Sequence, residues 1–75
     1  MDEREENQAR ARQRELASMA DFVCRLIVAT DYPEVDVMIE RCKVRARCEE
    51  LFPDRLDLYD MIYESRFDRL WEQWR

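Results

Sequence analysis

From Leu16 onward, apolar side chains recur every three to four residues, and two prolines, Pro33 and Pro53, cut this pattern into three stretches. Proline presets the first turn of a helix and breaks its interior. Two prolines twenty residues apart, each followed by acidic residues, therefore read as two helix starts. The first predicted helix runs from about Leu16, or earlier, to Ala29. At about 100° per residue, Leu16, Met19, Ala20, Val23 and Ile27 share one face, and Phe22, Cys24, Leu26 and Val28 widen it. Tyr32, held out of helical geometry by the proline after it, belongs to the first link.

The second predicted helix, Pro33 to Leu51, is apolar on two sides. Val35, Met38, Ile39, Cys42 and Ala46 form one side, and Val37, Val44, Cys48 and Leu51 the other, with Arg41 and Arg45 between them. Asp36, Glu40, Lys43, Arg47 and Glu50 make its solvent strip. A helix of this kind is expected to be touched from two sides, and the Val37, Val44 and Leu51 side is assigned to a partner. The third helix is predicted to open at Pro53-Asp54, with Asp54 as N-cap and Asp57 in the first turn. Its stripe is Leu56, Tyr59, Tyr63, Phe67, Leu70, Trp71 and Trp74, with Leu58, Met61 and Ile62 outside it. The fold expected is all-α: a small three-helix bundle over residues 16–75, with the second helix central and antiparallel to the other two.

Residues 1–15 carry nine charges and, apart from Met1, no apolar side chain larger than alanine. They are read as a charged, flexible or helical N-terminal extension of the first helix, frayed and disordered at least through Glu6, because they bury too little to offset the entropy of ordering. Seventy-five residues support one domain with a small core. The wide apolar arcs exceed what a single three-helix bundle covers, which points to association as the extra source of stability. The net charge of −5 disfavours a general nucleic-acid or anionic-membrane binder, and no segment has the roughly 20 apolar residues of a membrane span. Twelve of the thirteen basic residues are arginine, a bias that GC-rich coding produces, so a bacterial or phage source is the expectation, with no bearing on mechanism.

Three cysteines, no histidine and no CxxC motif leave no self-contained zinc site. With no leader-like segment and an odd cysteine count, reduced thiols and a cytoplasmic location are expected. Cys24, Cys42 and Cys48 are read as small buried hydrophobes rather than nucleophiles, since no histidine is present to raise their thiolate fraction. The row Asp57, Asp60, Glu64, Asp68 and Glu72 is read as a solvated helix face, part of which pairs with Arg41 and Arg45 if those are buried. Trp71 and Trp74 are either exposed anchors or a cap on the core.

The function expected is that of a non-enzymatic protein–protein interaction module, an adaptor, regulator or assembly subunit, and homodimeric. It needs no cofactor, metal or small-molecule substrate. Its partner-binding residues would be Trp71, Trp74, Val37, Val44, Leu51, Leu58 and Ile62. The alternative is a small DNA-binding regulator using Arg10, Arg12 and Arg14 as a flexible arm, discriminated by salt-resistant binding that falls when these arginines are removed.

Overall fold

The computed structural model describes residues 3–75, which form an elongated helical bundle of 45 × 19 × 18 Å. Helix α1 spans Glu3–Val28 and α2 spans Glu34–Leu51. A third rod follows, made of α3 (Leu56–Tyr59), a π-helical segment (Asp60–Glu64) and α4 (Ser65–Trp74). The three-helix all-α architecture is the one the periodicity predicts. Both prolines sit at the breaks, each in a different role. Pro33, at φ −60° and ψ 140°, is the N-cap of α2, and its carbonyl accepts from the N–H groups of Asp36 and Val37. Pro53 instead lies with Asp54 inside a turn closed by the Arg55 N–H on the Phe52 carbonyl at 3.0 Å. Arg55, at φ −129°, leaves helical geometry, so the third rod starts at Leu56 and Asp54 is not its cap.

Described residues 3–15 are helical, so the extension takes the helical of its two expected forms and the disorder expected at residues 3–6 is not seen. The part of that expectation on Met1 and Asp2 lies outside the described residues. Strong helix formers and the acidic first turn of Glu3, Glu5 and Glu6 favour this extension. Arg47 of α2 also holds it from the side, through hydrogen bonds to Glu15 at 3.1–3.2 Å.

α2 runs antiparallel to α1, and the third rod returns parallel to α1. Arg75 consequently reaches the far end of α1, where its guanidinium donates to the carbonyls of Leu26, Ile27 and Ala29 at 3.0, 3.0 and 2.6 Å. These carbonyls belong to the orphan acceptors that every helix C-terminus leaves. The same guanidinium stacks 4.8 Å from the Trp71 ring. The expected centrality of the second helix is corrected: α1 packs on α2 and α4, and α2 packs on α3, so each rod touches the other two.

The core joins Leu16, Ala20, Val23, Leu26 and Ile27 of α1 to Val37, Val44 and Cys48 of α2 and to Tyr59 and Phe67 of the third rod. Fully burying each large member contributes about 1.5–3 kcal/mol. Val37 and Val44, assigned from sequence to a partner, are thus core residues, 0% and 2% exposed. The two apolar sides of α2 have exchanged roles. Val35, Met38 and Ile39 are 64%, 46% and 48% exposed, and Cys42 and Ala46 beside them are exposed as well. Leu51 is half-buried.

The π segment was not foreseen. In it the Ser65 N–H reaches back five residues to the Asp60 carbonyl. A turn closed in this way takes more residues than an α-turn, so positions four apart come nearly into line. Tyr59, Tyr63 and Phe67 then keep one azimuth toward the core, and Asp60, Glu64 and Asp68 keep another toward α2.

Candidate functional site

The acidic row meets the two arginines of α2. Arg41 donates to Glu64 and, at 3.0 Å, to Asp68, while its guanidinium lies 5.3 Å from the Phe67 ring. Arg45 grips Asp60 with two bonds of 3.1 and 3.2 Å. Tyr59 donates to the other Glu64 oxygen at 3.2 Å. Burial pulls the Arg41 pKa down, but the hydrogen bonds to Glu64 and Asp68 outweigh it and hold the group above its ordinary value. Burial, with the Glu64 charge and hydrogen bond added, pushes the Tyr59 phenol well up. The middle of the row is therefore an ion-paired seam, the pairing with Arg41 and Arg45 expected from sequence, while Asp60 and Asp68 keep much of their surface in solvent. Its carboxylates are already matched to guanidinium groups. Among the described residues no group of three or more Cys, Asp or Glu side chains is placed to hold a metal ion.

A different surface remains open. Between the N-terminal half of α1 and the first half of the third rod lies a groove of about 690 Å³. Leu16, Cys48 and Tyr59 form its floor, and Leu58, Ile62 and Tyr63 one wall. Leu58 and Ile62 are each 41% exposed, large apolar side chains facing into an unfilled slot. Along the rim stand Arg10, Arg14 and Arg55. None of the three has an ion-pair or hydrogen-bond partner for its guanidinium among the described residues, whereas Arg41, Arg45 and Arg47 are all matched to carboxylates. In a chain with five more acidic than basic groups, this leaves a local positive rim around an apolar floor.

Several residues singled out from sequence converge here. Leu58 and Ile62 form the wall, and Arg10 and Arg14, one helical turn apart, stand opposite. Arg12 does not line the groove: two residues along a helix is about 200° of rotation, which sends it to another face. The segment is helix rather than a flexible arm. Trp71 is half-buried against the core under Arg75, and Trp74 is 47% exposed, so the two tryptophans divide between cap and surface. Sequence reading missed Arg55 and Phe52, which close the groove near the Pro53 turn. The signal available was that turn itself, which brings the start of one rod under the end of another.

The cysteines also separate. Cys48 is buried and Cys24 half-buried, and burial raises both thiols above their ordinary pKa of 9.0. Cys42, expected inside, is exposed on the outer side of α2. No described helix is long and apolar enough to cross a membrane. Comparison with known family models, with curated proteins and with solved structures returns no match, so geometry alone carries the functional reading.

Proposed function

We propose that this chain is a non-enzymatic protein–protein interaction module whose groove takes an amphipathic helix bearing acidic flanks. The observation that carries this is the juxtaposition of an open apolar slot with three arginines on its rim that have no guanidinium partner among the described residues. Two roughly parallel rods with a floor between them leave the space of a missing fourth helix. An apolar stripe at i, i+3, i+4 and i+7 on the incoming segment would contact Leu58, Ile62 and Tyr63, the usual mode of helix-in-groove recognition. Acidic residues beside that stripe would face Arg10 and Arg14 on one edge and Arg55 near the end. Apolar burial supplies affinity, and the charges set orientation and reject basic competitors. The chain acts through surfaces, with no cofactor and no catalytic step, and it self-associates through apolar surface elsewhere.

A display library of twenty-residue helices tests this reading, with a fixed apolar face and randomised flanks selected against the full-length protein. Glutamate and aspartate should be enriched on the flanks, and the selected helices should lose binding to the Arg14→Glu and Leu58→Asp variants. Enrichment of basic flanks, or binding indifferent to both substitutions, would overturn it. The DNA-binding alternative through Arg10, Arg12 and Arg14 is the less favoured reading, because the helix turns Arg12 away from Arg10 and Arg14.

A further inference from the structure

We infer that the outer side of α2 is a self-recognition surface, on which a second copy of this chain docks its own α2 antiparallel about a two-fold axis passing between Ile39 and Glu40. The inference names the partner behind the self-association just proposed and rests on that reading only for the expectation that copies associate.

On α2, Val35, Met38, Ile39, Cys42 and Ala46 fall within about 100° of arc, and this arc is centred almost opposite the buried Val37, Val44 and Cys48. The helix is a two-sided plank with its inner stripe filled by α1 and the third rod. Its outer stripe, at the spacing of a helix–helix seam, is covered by nothing among the described residues.

The charges beside the stripe select the occupant. One edge carries Asp36 and then Lys43, and the other carries Glu34 and then Arg45. Over residues 34–45 each edge therefore runs from acidic to basic, and the Glu49 and Glu50 that follow fall opposite residues 30 and 29 in the register set by that axis, beyond the start of the second copy's α2. The carboxylates of Glu34 and Asp36 have no ion-pair partner among the described residues. In a two-fold antiparallel pairing each edge lies beside the same edge of the other copy, run backwards. Asp36 then faces the second copy's Lys43, and Glu34 faces its Arg45. Both matches have the same centre, the step between Ile39 and Glu40, so one register satisfies the two edges at once. A parallel pairing would instead set acidic start against acidic start and Lys43 against Arg45. Lys43 already bonds Glu40 at 3.0 Å and Arg45 bonds Asp60, and both stay exposed enough to accept a further carboxylate. With the axis near Ile39, the stripe of each helix covers the stripe of the other, and Met38 and Ile39 meet at the middle.

Site-directed crosslinking tests the register. Two Ile39 Cα atoms would be offset by only about 1.5 Å along the axis, two Cys42 Cα atoms by about 7.5 Å, and two Val35 Cα atoms by about 13.5 Å. A disulfide needs Cα atoms within about 7 Å. In a Cys42→Ser background, Ile39→Cys should form a covalent dimer on mild oxidation, and Val35→Cys should not. Asp36→Lys should weaken self-association by about tenfold, because the pair occurs twice, and Lys43→Asp added to it should restore most of the loss. Circular dichroism of each variant checks that the fold persists. Three results would each overturn the inference: a wild-type chain monomeric at hundreds of micromolar, equal crosslinking at Val35 and Ile39, or no recovery in the double charge swap. None of them bears on the groove, whose helix selection stands or fails separately.

Discussion

Replacing Arg41 by alanine probes the seam that joins α2 to the third rod. Its side chain is 13% exposed and donates to Glu64, itself 24% exposed, and to Asp68, which is 68% exposed. The Asp68 bond, being mostly in water, contributes about 0.5 kcal/mol or less. The Glu64 bond is charge-assisted and half-buried, worth about 1–2 kcal/mol, and the stacking over Phe67 adds about 0.5–1 kcal/mol. Arg41→Ala should therefore cost about 2–3 kcal/mol, a fall of roughly 10–20 °C in midpoint for a domain of this size. Asp68→Ala should cost under about 0.5 kcal/mol. Arg41→Met combined with Glu64→Leu and Tyr59→Phe should come back to within about 1 kcal/mol of wild type, since apolar replacement of all three partners removes both the stranded charge and the stranded hydroxyl. The assay is urea unfolding followed by circular dichroism at one fixed protein concentration, closed into a double-mutant cycle. A loss below about 0.5 kcal/mol for Arg41→Ala, or strict additivity with Glu64→Ala, would refute the view that this seam fixes the third rod on α2.

Alkaline pH should destabilise the fold. The Tyr59 phenol and the Cys24 and Cys48 thiols hold their protons in the folded state at pH values where the unfolded chain releases them. Stability is whole below their ordinary values of 9.0 for the thiols and 10.0 for the phenol, and it falls as pH rises past these. Urea midpoints should decline from about pH 9, and Tyr59→Phe should flatten the part above about pH 10. At the other end of the bundle, Arg75→Ala strips three carbonyls of α1 of their donor and uncovers Trp71. A loss of about 1–2 kcal/mol and a red-shifted tryptophan emission are expected, and an unchanged spectrum would contradict the stacking.

The helix count, both breaks, the antiparallel second helix and most of the core follow from apolar spacing and two prolines. The inner side of α2 does not. Around that helix, two apolar sides alternate with the Asp36–Glu50 strip and with Arg41 and Arg45, an arrangement nearly symmetric front to back. Pairing Arg41 and Arg45 with the acidic row fits either orientation, because these arginines lie between the two sides. Arg47 reaching Glu15 on α1, together with Arg45 reaching Asp60 on the third rod, turns Val37 and Val44 inward, and those reaches are tertiary facts. The π segment was hidden for a related reason. Its extra residue per turn realigns Asp60, Glu64 and Asp68, whereas at 100° per residue they appear as a drifting, solvated row. The groove was half legible. Leu58 and Ile62 stood out as apolar side chains outside the stripe, but the rim of Arg10, Arg14 and Arg55 joins segments some forty residues apart.

We propose that the apolar surface left outside the core is there to be covered. Sedimentation equilibrium of the reduced full-length chain, run over a wide concentration range beside an Ile39→Asp variant, tests it most directly. The wild type should sediment with twice the mass of its 9.3 kDa chain and the variant as a folded monomer. A wild type that stays monomeric and soluble at every concentration, indistinguishable from the variant, would contradict it.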